Sequence, residues 1–180
     1  MSYEEGIKKI ASFGSVRLLA VSIAVYSPIQ VESFWSLWTH LSPPSALLPT
    51  TDYLLFHSGV RRPVWEDPLN LSGGKWIIRL KKGVADRLWE DLILAIIGDQ
   101  FDDCNEEGAE YPEISGCTIS VRQYEDIVSL WNRVDADVRL REKIRFVLTS
   151  YNNHLHNLML YSQGHSQTSP QSAAVHGYGI

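Results

Sequence analysis

The sequence predicts an α+β domain in which an antiparallel sheet carries helices on one face and leaves the other open. Two observations point there. Three stretches have helical apolar spacing, and the alternating stretches between them are joined by short turns or loops rather than in regular βαβ order. A sheet of this kind is packed on one side only and can offer the other to a ligand.

Taken in order, residues 3–13 read as a loop entering a short strand, with Tyr3 at its mouth and Ile7, Ile10 and Phe13 among charges. Arg17 to Val31 is an apolar, almost uncharged block without helical or strict strand periodicity; its β-branched content makes it a buried strand. Phe34, Trp38 and Leu41 then fall at i, i+4 and i+7 on a helix that ends at Ser42-Pro43-Pro44, with Trp35 on the neighbouring face.

Tyr53 to Phe56 is a strand, and Lys75 to Leu80 a clearer one: Trp76, Ile78 and Leu80 share one face and Lys75, Ile77 and Arg79 the other. A helix over about Asp86 to Gln100 places Trp89, Leu92, Ile93, Ile96 and Ile97 on one stripe. Phe101 to Ser115, rich in Asp, Glu, Gly and Pro, is expected to be a solvated loop without metal-ligand spacing.

Cys117 to Arg122 alternates, with Cys117, Ile119 and Val121 inward and Thr118, Ser120 and Arg122 outward; Ile127 to Trp131 follows across a tight turn, giving a hairpin. A third helix over about Asp137 to Thr149 buries Leu140, Ile144, Val147 and Leu148, and His156 to Tyr161 is the last strand. One domain is expected over residues 1–162, with a disordered Ser/Gln/Gly/His-rich tail at 163–180.

Composition narrows the function. The 180 residues are 44% hydrophobic with a formal charge of −5, so a sequence-blind coat on nucleic acid is excluded and any such contact needs a local basic cluster. Cys104 and Cys117 lie in no CxxC or Cys/His pattern, which fits a reducing, cytoplasmic setting. The apolar run Leu18 to Tyr26 is shorter than the ~20 residues a membrane span needs. Within Val64 to Trp76, an aromatic (Trp65), a carboxylate (Glu66) and a base (Lys75) lie close together on a loop and the strand after it, a set suited to a flat, cationic, hydrogen-bonding ligand.

Val31-Glu-Ser-Phe-Trp-Ser-Leu-Trp, Trp65-Glu-Asp, Gly73-Gly-Lys-Trp, Trp89 to Phe101 with Ile97-Gly-Asp-Gln-Phe, and Ser120-Val-Arg followed by Leu130-Trp131 occur in the order found in the cap-binding translation initiation factor 4E family, which this chain resembles over most of residues 2–162. The wording around Tyr3 and Gly-Lys-Trp is most similar to the 4E-homologous protein branch, generally associated with translational repression. The resemblance implies a curved antiparallel sheet with three helices on its convex face and a ligand slot on the concave side. It implies a non-enzymatic protein, without cofactor or metal, that binds the 7-methylguanosine cap of mRNA in translation initiation or its repression.

By the same resemblance, Trp65 and Tyr3 sandwich the cationic base and Glu66 accepts from its Watson–Crick edge. Trp131 packs near the methyl group, and Arg122 and Lys75 meet the cap phosphates. Val31, Trp35 and Leu94 form a second surface on the helical back, for scaffold or repressor proteins carrying a Tyr-x-x-x-x-Leu-apolar helix. A degenerate member that keeps only the partner surface is the alternative; a nucleotide-handling enzyme ranks last, because His40, His57 and the cysteines offer no nucleophile–base spacing.

Four departures accompany the match. Tyr3 stands where the main class has Trp, so weaker cap affinity is expected, and the Tyr124-Glu125 turn is shorter and lacks a lysine. The usual first strand is expected to be missing before Tyr3. Residues 16–30 look inserted, since joining Gly14-Ser15 to Val31-Glu32 restores the family's junction; a frame-preserving retained intron has this form.

Overall fold

The computed structural model describes residues 9–13, 16–19, 31–151 and 159–163. Seven strands form one sheet, every pairing antiparallel: β1 (Lys9–Phe13), β2 (Val16–Leu19), β3 (Asp52–His57), β4 (Gly74–Lys81), β5 (Ile114–Val121), β6 (Glu125–Asn132) and β7 (Met159–Gln163). Their order across the sheet is β1-β2-β3-β5-β6-β4-β7. Helices α1 (Val31–Trp38), α2 (Ala85–Ile97) and α3 (Val138–Tyr151) pack on one side. The expected α+β architecture, a curved antiparallel sheet backed by three helices, is the one found.

Alternation along the strands separates the two faces. Tyr53 and Leu55 of β3, Trp76, Ile78 and Leu80 of β4, Cys117 and Ile119 of β5, and Val128 and Leu130 of β6 point to the helices. There they meet Phe34 of α1, Leu88, Trp89, Leu92 and Ile93 of α2, and Ile144 and Leu148 of α3. Each fully buried large side chain contributes on the order of 1.5–3 kcal/mol.

The helix ends have local causes. α1 ends at Trp38, before the expected Leu41, and the chain turns through Thr39 and His40 toward Pro43-Pro44, where a short 3-10 turn over Pro44–Ala46 begins. That turn is tied to the first turn of α2, because the Asp86 carboxylate accepts from Ser45 N–H at 2.8 Å and from Ser45 Oγ–H at 2.6 Å. α2 ends at Ile97, three residues short of the expected Gln100, with Gly98 as its C-cap and Asp99 beyond it at φ +57. Asp137 caps α3 rather than belonging to it, its Oδ1 accepting from Leu140 N–H at 2.8 Å.

Three further expectations change. Phe101 to Ser115 is not uniformly solvated: Phe101, Cys104, Glu113, Ile114 and Ser115 are buried, and β5 already starts at Ile114. Thr118 is buried although it lies on the face opposite Cys117 and Ile119, because side chains cover that stretch of the sheet on both sides. The last strand runs Met159–Gln163, later than His156 to Tyr161, and pairs with β4.

Of the apolar block at 16–30, Val16–Leu19 forms β2, inserted between β1 and β3. Residues 20–30 and 164–180 lie outside the described residues, as does Tyr3.

Candidate cap-binding face

The sheet surface opposite the helices has its own small apolar cluster: Leu54 and Phe56 of β3, Val60, and Trp131 of β6, with Trp65 and Leu69 packed against it. Strand register brings these together. Trp131 is paired with Lys75 on one side and Gly116 on the other, and Gly116 is in turn paired with Phe56. Gly116 is required there, because a Cβ would lie 2.2 Å from the Leu55 carbonyl oxygen and 2.6 Å from the Phe56 ring.

Trp65 arrives on the loop between β3 and β4, and that loop is built around a buried carboxylate. Asp67 is 1% exposed; its Oδ2 accepts from the Arg61 and Arg62 N–H groups, both at 2.8 Å, and its Oδ1 from Leu69 N–H at 3.1 Å. Buried Asn70 donates to the Val64 carbonyl at 2.9 Å and accepts from Ser115 Oγ–H at 2.9 Å, fastening the loop to β5. Gly73 closes it, passing so near β6 that a Cβ would meet the Asn132 carbonyl oxygen at 1.9 Å. Sequence reasoning missed Asp67 and Asn70; the one available signal was a carboxylate and an amide spaced as turn-formers around the aromatic.

Held this way, the Trp65 ring lies 4.5 Å from the Trp131 ring, centroid to centroid, with planes inclined by 50°. Trp131 is also edge-on to Phe56 at 5.7 Å. Its Nε1–H is buried with no hydrogen-bond partner among the described residues. The Lys75 ammonium stands over the Trp131 ring, 4.5 Å from the centroid. This ring face therefore already attracts a cation. Glu66, next to Trp65, is exposed.

Lys75 and Arg122 are connected through a residue that the sequence did not single out. Asp52, at the start of β3, pairs with Arg122 Nη1 at 2.8 Å. It also acts on Lys75: burial pushes the lysine pKa below its usual value, and the Asp52 charge partly restores it. Two cations and one carboxylate thus share the sheet surface beyond Trp131, and Thr118, Ser120 and Ser129 lie between them by register. No motif flagged Asp52, since its role depends on β3 lying beside β5.

Of the expected site, then, Trp65, Glu66, Trp131, Lys75 and Arg122 fall on one loop and one sheet face, and Tyr3 lies outside the described residues. On the helical side, Trp35 is 39% exposed and edge-on to buried Phe34 at 5.2 Å, and Leu94 on α2 is half-buried. The side chain of Val31 lies outside the described residues.

The eukaryotic initiation factor 4E profile matches residues 1–176. The chain belongs to the eukaryotic initiation factor 4E family. Among curated members, translation initiation factor NCBP of Triticum aestivum is 44% identical over 148 residues, covering 80% of this chain and 54% of its own length. Initiation factor 4E-4 of Caenorhabditis elegans is 48% identical over 122 residues, 66% of this chain and 54% of its own length. The human initiation factor 4E is 31% identical over 152 residues, 81% of this chain and 65% of its own length. The chain spans about half the length of the NCBP and 4E-4 relatives.

Solved structures of the 4E family agree on the fold. Initiation factor 4E-3 of Ascaris suum, crystallised with an m2,2,7G cap, superposes with a TM-score of 0.69 at 33% identity, covering 84% of this chain and 81% of that one. The C. elegans 4E-3 complex with the 4E-binding protein Mextli and a cap analog gives 0.65 at 34% identity, covering 74% and 73%.

Burial pushes the Cys104 thiol up to about 11 and the Cys117 thiol further above its ordinary value, so neither is a thiolate near neutrality. His57 accepts from Gly59 N–H at 3.1 Å through Nδ1, a turn-forming contact, and desolvation lowers its pKa. No helix among the described residues is long and apolar enough to cross a membrane.

Proposed function

We propose that this chain binds the 7-methylguanosine cap of mRNA on the sheet face bearing Trp65 and Trp131, and acts without catalysis in translation initiation or its repression in the cytoplasm. The observation that carries the reading is the Trp65–Trp131–Lys75 cluster. It places two indole rings within 4.5 Å of each other beside an exposed carboxylate, with one ring already holding a cation over its face.

A 7-methylguanine base is flat and carries a delocalised positive charge. Stacking on Trp65 combines dispersion with cation–π attraction, about 0.5–2 kcal/mol per contact. Glu66 supplies acceptors for the N1–H and N2–H donors, the edge that tells guanine from adenine, through charge-assisted hydrogen bonds. Trp131 packs near the methyl group, Tyr3 closes the second face, and Lys75 and Arg122 meet the phosphates. Phosphate would compete with Asp52 for Arg122.

NCBP and 4E-4, at 44% and 48% identity against 31% for human 4E, are named translation initiation factors, which supports a role in translation. On the opposite side of the molecule, Val31, Trp35 and Leu94 would dock the apolar face of a Tyr-x-x-x-x-Leu-apolar helix from a scaffold or repressor. The partial exposure of Trp35 supports that role.

Retention of the purified chain on 7-methyl-GTP resin, with elution by 7-methyl-GTP and not by GTP, is the expected result. Elution by both nucleotides alike, or failure to bind, would contradict the cap reading.

A further inference from the structure

The hairpin joining β5 and β6 ends in an aromatic that neither the core nor the ion pairs use. Tyr124 is 88% exposed. Its setting is nonetheless rigid. Arg122 N–H donates to the Glu125 carbonyl at 3.0 Å, closing the turn. Lys82 Nζ donates to the Arg122 carbonyl at 3.1 Å and to Asp126 Oδ1 at 2.6 Å. On the other side, Arg79 of β4 pairs with Glu125 at 2.5 Å. The tip is thus held by two bases at the end of β4, Arg79 and Lys82, and its aromatic side chain stands out in solvent.

Position gives this tyrosine its meaning. Arg122 lies six residues beyond Gly116, the cross-strand partner of Trp131, so about 20 Å of β5 separates the indole end of the face from the hairpin tip. Along that line come Trp65, Trp131, Lys75, Asp52 and Arg122, in the sequence aromatic, cation, carboxylate, cation. Tyr124 follows immediately. A base stacked at one end and phosphates along the cations leave the next nucleoside at the other end.

We infer that Tyr124 is a stacking platform for the base of the first transcribed nucleotide, on the far side of the cap triphosphate. This rests on the cap reading above. Stacking on an exposed aromatic is tolerant of base identity, because every base offers a π face. The hydrogen-bonded turn adds to it: little loop freedom is lost on binding, and only the rotamer freedom of the ring itself opposes the contact.

The test compares 7-methyl-GTP with the cap dinucleotides m7GpppA and m7GpppU on the full chain. The ratio of m7GpppA to 7-methyl-GTP affinity, which carries the same terminal-phosphate difference in every variant, should be about fivefold or more higher in wild type than in Tyr124→Ala, with a smaller drop for m7GpppU in line with its smaller base. Tyr124→Phe should keep the wild-type ratio, since the hydroxyl takes no part. If 7-methyl-GTP binds but the ratio is the same in wild type and Tyr124→Ala, this inference fails and the cap site stands. If 7-methyl-GTP does not bind, the cap reading fails and takes this inference with it.

Discussion

At the residue scale, Lys75 carries the most testable chemistry. Its ammonium is partly desolvated against Trp131, and its pKa lies below the usual lysine value with Asp52 pulling it back. In the molecule alone the unfolded chain therefore holds this proton more tightly than the folded one. Between the lowered folded pKa and the ordinary unfolded one, stability rises with pH. A bound phosphate reverses the sign, favouring the charged lysine. The affinity ratio of 7-methyl-GTP to 7-methylguanosine, which cancels the titration of the base itself, should fall on the alkaline side at a pH below that expected of an ordinary lysine; Lys75→Met should flatten it. Trp65, Glu66 and Lys75 were legible as a local aromatic, carboxylate and base suited to a flat cationic ligand, whereas Arg122 and Trp131 came only through the family resemblance; the fold brings the five to one loop and one sheet face. Asp52 was not legible, since one Asp beginning an apolar strand looks the same whether it faces water or a guanidinium across the sheet.

At the element scale, the loop from Val60 to Gly73 and the strand after it form a rigid arm. Its internal fastening comes from Asp67 and Asn70, and its exit depends on Gly73 passing against the Asn132 carbonyl. Gly73→Ala should force β4 and β6 apart at their shared end, costing about 1–3 kcal/mol as overpacking does. It should also displace Trp65, so that cap-resin retention drops more than thermal stability would account for. Unchanged melting and retention would show that the close approach is not needed. Amphipathic spacing made α2 readable, and alternation made β4, β5 and β6 readable. Helix ends were less so: α2 stops where Asp99 adopts a left-handed conformation, and Asp137 caps α3, both details of one or two dihedral angles. The Phe101 to Ser115 segment misled for another reason. Its acidic composition hides Phe101, Cys104 and Ile114, which are buried from within a mostly charged sequence.

For the whole molecule, one sheet separates two surfaces. The core between sheet and helices, centred on Trp76, Phe34, Ile93 and Leu130, lies between the Trp65–Trp131 face and the helical side carrying Trp35. Substitutions on one side should leave the other working. Trp35→Ala is expected to lose binding of a fluorescent Tyr-x-x-x-x-Leu-apolar peptide by tenfold or more, about 1.4 kcal/mol, while cap-resin retention stays at wild type; loss of both would contradict two separate sites. Strand order, by contrast, could not be read from the chain: β3 lies beside β5 rather than β4, and β2, from the apolar block, enters between β1 and β3. Such pairings are set by long-range packing that local periodicity does not encode. The central claim is that Trp65 and Trp131 recognise a cationic purine. Titrating tryptophan fluorescence with 7-methyl-GTP and with GTP tests it most directly. Saturable quenching by 7-methyl-GTP, at least tenfold weaker for GTP and lost in Trp65→Ala, is the predicted result; equal quenching by the two nucleotides, or a Trp65→Ala curve matching wild type, would contradict it.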